Sequence, residues 1–234
     1  MAISFAALTA GTDTTDDTDS AVASTTVTAN KLQLLTLCSR ADAVQPTISS
    51  IGVPSGSGIV WTIIGTAVDF DASGSRRTLF LYRGMATATV AGGFTVTWGG
   101  TQTGKSWALD EVTGMDTSGT QGSGAIVQAV TGSGASVTSL TVTLAAFGSA
   151  NNSTYGAFGN AGEGALTAGA GFTRLGNQQV AGECGVGTEY QVANDTTVNM
   201  SNGTMDIGGI AIEIKAASTT SVMDMISGFI PFAR

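Results

Sequence analysis

The chain has 234 residues, 33 of them glycine, and only 11% are charged, with a net charge of −8. Such an acidic chain offers no basic face to nucleic acid, and the absence of any histidine removes Ser-His-Asp and Cys-His catalysis, His-ligated zinc and the usual proton shuttles. The length suits one large β domain or two small ones with an ample core, and so little charge is typical of a surface that meets other protein.

The N-terminus, MAISFAALTAG, lacks a basic leading region and is not read as a secretory signal. Behind it the run Gly11 to Asp19 places four carboxylates within seven residues, Asp13, Asp16, Asp17 and Asp19. That spacing lacks the turn glycine of a calcium loop, and a block of like charge repels itself, so residues 1–23 are expected to form a solvated arm. No apolar run reaches the length needed to span a bilayer.

Strand signals with turn chemistry between them follow from residue 24 to 217. They are Thr25 to Thr28, Leu32 to Ser39, Val60 to Thr66, Thr78 to Arg83, Phe94 to Trp98, Ala108 to Thr113, Ala125 to Val130, Val137 to Leu144, Thr154 to Gly159, Thr188 to Val192, Thr197 to Met200 and Ile207 to Ile214. The pattern predicts an all-β antiparallel sandwich or jelly roll. Leu79 to Tyr82 is apolar on both faces and is expected in a central strand. In the last strand Ile210, Ile212 and Ile214 should point inward, Glu213 and Lys215 outward. Glycine and alanine dominate from Ala145 to Gly187, where long loops are expected. Of the two cysteines, Cys38 lies in an apolar strand as a buried thiol would; with Cys184 it permits one disulfide at most.

The stretch GGTQTGKS, Gly99 to Ser106, fits the phosphate-loop pattern G-x-x-x-x-G-K-[ST] letter for letter. A phosphate loop must lead from a strand into a helix. Here Trp107 to Gly114 reads as another strand, so a hairpin loop is expected, with Lys105 and Ser106 opening its second strand. Asp110 and Glu111 are neighbours on a strand and point to opposite faces, so they do not form an acid/base pair. Trp61 and Trp98 share faces with Ile63 and with Phe94 and Val96, as core residues do. Tyr155, after Asn151-Asn-Ser-Thr, is the best candidate for an exposed sugar-stacking ring. Arg76, Arg77 and Arg83 give the basic cluster, either a solvated turn or an anchor for an acidic partner. No residue is assigned to catalysis, to a metal or to a cofactor.

The order of segments VWTIIGTAVDF, RRTLFLYRGMA, FTVTWGG with WALDEVTGMD, SLTVTLAAFGSANNSTYGAFGN, and GTEYQV with DIGGIAIEIKAA resembles a concanavalin A-like jelly-roll family often carried by tailed-phage virion proteins. The resemblance covers roughly residues 24 to 216. It implies a virion structural or attachment role, and the low charge, glycine-rich loops and terminal arms favour a non-enzymatic protein, assembled in the host cytoplasm, that decorates and reinforces the capsid. Its partners would be the major capsid protein and copies of itself, with no nucleic acid and no membrane. The alternative is a tail-associated adhesin that binds a host glycan through Tyr155. Residues 218–234 form an apolar tail, in which Val222, Met225, Ile226, Phe229, Ile230 and Phe232 are candidate partner contacts.

Overall fold

The computed structural model describes residues 2–71, 75–162 and 164–218. In chain order the strands are β1 Ser4–Asp13, β2 Asp17–Val27, β3 Leu32–Ala41, β4 Ile48–Ile51, β5 Thr62–Ile63, β6 Val68–Asp69, β7 Arg76–Met85 and β8 Val90–Gln102. They continue with β9 Gly104–Thr113, β10 Ile126–Thr143, β11 Ser153–Asn160, β12 Thr167–Ala168, β13 Thr173–Val180, β14 Cys184–Gln191 and β15 Thr197–Ile214. A 3₁₀ turn, Thr120–Ala125, joins β9 to β10. All pairings are antiparallel, and the arrangement is an all-β sandwich consistent with a jelly roll.

A central sheet, β1-β9-β3-β7-β5 with β6 also on β7, lies between two others. On one side sits the small sheet β2-β8-β4, on the other the sheet β10-β15-β11-β14-β13. The β3 sequence explains the middle position. Leu32, Leu34 and Cys38 face the large outer sheet, while Leu35 and Leu37 face the small one, so the strand buries both sides. Leu79 and Leu81 of β7 join the first core and Phe80 the second, as the two-sided apolar pattern predicts.

The small sheet is the central sheet folded back on itself. β1 pairs with β9 as far as Asp13↔Lys105, and the ladder resumes in β2 and β8 at Asp17↔Gln102. β3 and β4 follow the same path against β9 and β8. The chain therefore turns a corner at Thr103 between two sheets, and GGTQTGKS is not a hairpin loop: β8 and β9 belong to different sheets and do not pair. Residues 1–23 are not a solvated arm either, because β1 and most of β2 lie within them. The β1 sequence, Ser4 to Asp13, shows little alternation, which hid it from a reading based on periodicity.

β10 and β15 form a second folded ribbon. Their ladder is interrupted between Gly134 and Ser139. Beyond it Leu140, Val142, Val198 and Met200 pack with Phe158, Leu166 and Ile207 in a third core on the outer face of the large sheet. The two strand signals at 125–130 and 137–144 are thus one strand, as are those at 197–200 and 207–214. Between Ala145 and Gly187 the chain forms β11, β12, β13 and the start of β14 rather than long loops. Small residues serve close packing there: a Cβ on Gly159 would lie 3.0 Å from Cys38 Sγ, across the gap between sheets.

The third core and the segment near Asn152 cover the face of β15 expected to meet water. Ile210, Ile212 and Ile214 are buried as expected, but Glu213 is buried too, at 1% exposure. Its carboxylate accepts from Asn152 Nδ2 at 2.5 Å and Gln128 Nε2 at 2.6 Å. Ile212→Asp should cost about 4 kcal/mol by burying an unpaired charge. Glu213→Gln should cost about 1–3 kcal/mol, because an amide presents one donor to two donors. Urea unfolding of both variants checks this; a silent Glu213→Gln would place that side chain in water.

Candidate functional site

The folded corner buries a lysine. Lys105 is the first outward-turned side chain of β9, on the face that carries Trp107 and Leu109. That face looks into the bend between β1 and β2, so its ammonium is buried at 0% exposure. Nζ donates to Thr15 O at 2.8 Å and Asp19 O at 3.0 Å, ion-pairs with Asp13 Oδ2 at 3.3 Å, and bonds Asp17 Oδ1. This Lys105 bond holds the Asp17 carboxyl below the usual carboxylate range. The oxygens that a metal would need at the acidic turn therefore converge on a lysine. Among the described residues no three Cys, Asp or Glu side chains are grouped to hold a metal ion. The same bonds occupy all three donors of Lys105, which leaves none for a phosphate.

A second set of charges clamps the turn between β13 and β14 onto the corner. Arg40 Nη1 meets Glu183 Oε2 at 2.5 Å, and Thr103 Oγ1 donates to the same oxygen at 2.7 Å. Arg77 donates to Gly182 O at 3.0 Å and to Glu183 O, and pairs with Asp71. Gly104 is required by this approach, since a Cβ there would lie 2.3 Å from Glu183 Cβ. Arg83 donates to Thr120 O and Gln121 O at 2.9 and 2.7 Å. Arg77 and Arg83 are thus engaged within the chain rather than forming a surface cluster; Arg76 is exposed.

Tyr155 is not an exposed loop aromatic. It lies in β11 at 0% exposure, between the central and large outer sheets, because Ser153 continues the ladder with β15 and turns Tyr155 inward. Its hydroxyl donates to Asp110 Oδ2 at 2.8 Å and lies 3.3 Å from Thr36 Oγ1, and Phe5 stacks between it and Tyr190. Asp110 and Glu111 do face opposite layers: Glu111 accepts from Thr28 N and Gln33 Nε2, both at 2.9 Å. Burial pushes the Asp110 carboxyl up to about 6, against the opposing hydrogen bonds of Thr188 and Tyr155. Glu189, on the other face of the large sheet, is also fully buried and accepts from Gly169 N at 2.9 Å. Burial, with a smaller contribution from the Asp195 charge, raises it to about 8. Cys38 and Cys184 are free thiols, with Cys184 Sγ 3.5 Å from Cys38 O, and burial raises the Cys38 thiol well above its ordinary range.

The described residues form two sizeable clefts at the surface. One, of about 830 Å³, is bounded by Ile3, Val127, Asn152, Val192 and the chain from Glu213 to Ser218, next to the tail. The candidate tail contacts Val222, Met225, Ile226, Phe229, Ile230 and Phe232 lie outside the described residues. The other cleft, of about 430 Å³, opens between edge strand β4 and the segment Ile59–Trp61, with Tyr82 in its wall. Trp61 donates its indole N–H to Gly52 O at 2.9 Å and packs on Phe94, so one part of the ring serves the core while the residue stays half-buried. Trp98 is wholly core. The juxtaposition of Trp61 with Tyr82 escaped the sequence reading, because 21 positions separate them and no local pattern marks the pair.

Lys105→Ala should lower unfolding free energy by about 3 kcal/mol, because it strands the corner carbonyls and two carboxylates. ATP with Mg²⁺ should leave the wild-type melting temperature unchanged; a nucleotide-dependent rise that Lys105→Ala abolishes would return the motif to phosphate binding. The raised carboxyls of Asp110 and Glu189 set a pH dependence. Each holds its proton more tightly in the folded chain, so the native state carries more protons and stability falls as pH rises through the window. That window runs from 4.5 to about 8 for Glu189 and from 3.8 to about 6 for Asp110. Glu189→Gln keeps the acceptor for Gly169 N and should flatten the decline between about pH 6 and 8 in urea titrations.

No family model matches the chain, and neither the curated proteins nor the solved structures contain a match, so the geometry itself carries the functional argument.

Proposed function

We propose that the chain is a non-enzymatic structural module of a tailed-phage virion, seated on the capsid as a decoration and reinforcement protein. The observation that carries this reading is where the charge goes. Lys105, Arg77, Glu111 and Glu213 are buried, and each holds one segment of the sandwich to another. With these four charges engaged in internal clamps and only 11% of the chain charged, much of the exterior is Thr, Ser, Gly and Ala, which suits a module held among protein neighbours. The tail supplies the apolar anchors for a neighbouring subunit or the shell.

Particles assembled without this protein should lose integrity at lower temperature and milder osmotic shock than complete ones. Equal survival would overturn reinforcement. The Trp61–Tyr82 cleft favours one second reading, an adhesin that stacks a neutral sugar on these rings. Saturable binding on a glycan array, lost in Tyr82→Ala with the melting temperature retained, would establish the adhesin in place of the decoration protein.

A further inference from the structure

The edges of the sheets are guarded unequally. β5 and β6 are two residues long and β4 four, too short to template another chain. β2 carries Asp17 and Asp19 along its edge. β1 and β13, the edges of the central and large sheets, lie against each other. β10 differs from all of these. It ends the large outer sheet, and among the described residues no strand pairs on its far side. Its 18 residues, Ile126–Thr143, include no Asp, Glu, Lys, Arg or Pro. It also sits within residues 117–162, the longest stretch of the chain without a charge.

Unpaired strand edges are templates for pairing, and proteins commonly guard long ones with lysine, proline or a bulge. In β10 the bulges lie at either end of one regular stretch. Gln128 to Gly134 pairs with Glu213 to Ile207 without a shift, so its outer backbone groups are evenly presented. Thr131 and Ser133 in this stretch are exposed, as is Val127 just before it, at 50%. The occupant follows from symmetry and charge. An antiparallel edge placed against itself across a two-fold axis is self-complementary, because each residue meets its counterpart in a reciprocal register. Two chains of net charge −8 repel over most of their surface, and this edge lets them approach where neither carries a charge. Centred on Thr131, such a pair sets Thr131 opposite its counterpart and Ser133 opposite Ala129, and Thr opposite Thr is a favourable neighbour.

We propose that two copies of this chain pair antiparallel through Gln128 to Gly134 of β10, joining their large outer sheets into one continuous sheet. The inference stands on the edge alone and holds whether or not the chain belongs to a virion. Sedimentation velocity of the full chain over a rising concentration series should show a monomer converting to a dimer. Thr131→Lys with Ser133→Lys places like charges opposite each other across the two-fold, and should weaken association at least tenfold while the melting temperature of the dilute protein is kept. Hydrogen exchange on the wild type supplies a measurement that needs no variant: amides within 128–134 should exchange more slowly in the dimer than in the monomer. A wild type that stays monomeric into the millimolar range overturns the proposal. So does a folded lysine variant that dimerises as well as wild type, or a dimer in which those amides exchange as fast as in the monomer.

Discussion

The structure depends on one bend, where three strand paths leave the central sheet and return above it as the small sheet. A bent sheet must satisfy the backbone groups that its corner takes out of the ladder, and it must do so while excluding water from the apolar cores on either side. Lys105 meets this demand from within. Its ammonium supplies three donors to a turn that presents carbonyl oxygens from Thr15 and Asp19 and carboxylates from Asp13 and Asp17. The acidic run, self-repelling alone, becomes ordered because one buried cation sits among its oxygens.

The same principle recurs at the other joints. Arg40 and Arg77 hold the turn at Gly182 and Glu183 onto the corner, Glu111 holds the start of β3 and the chain before it, and Glu213 holds Asn152 and Gln128. Burying such groups contributes little net stability, since desolvation offsets most of the attraction, but a misfolded alternative would leave them unpaired. They therefore select one stacking of layers over others. Asp110 and Glu189 differ from these clamps in that burial raises both carboxyls, so they make the fold less stable as pH rises.

A sandwich with so few charges, several of them buried, leaves its edges and clefts to set what it meets. The uncharged β10 edge, the aromatic cleft at Trp61 and Tyr82, and the cleft beside Ser218 are chemically unlike one another. The first offers backbone, the second ring faces, the third a mixed rim that includes the Glu213 carboxylate with its amide hydrogen bonds.

Sequence by itself determined the β class and the two-sided burial of Leu79 to Tyr82, because alternation of side chains along a strand is a local property. It also determined that Asp110 and Glu111 face apart. Only the tertiary structure decided which exposed-looking faces meet water. Glu213 and Tyr155 are buried because a second layer covers each, and no local period records a layer supplied by residues tens of positions away. Likewise GGTQTGKS carries the letters of a phosphate loop, but the partner of Lys105 was chosen by the bend that brings residues 13–19 over it. Strands such as β1 and β13, with weak alternation and many small or polar residues, acquire their conformation from the ladders they complete. Backbone pairing across the sheet, rather than side-chain pattern, is what orders them.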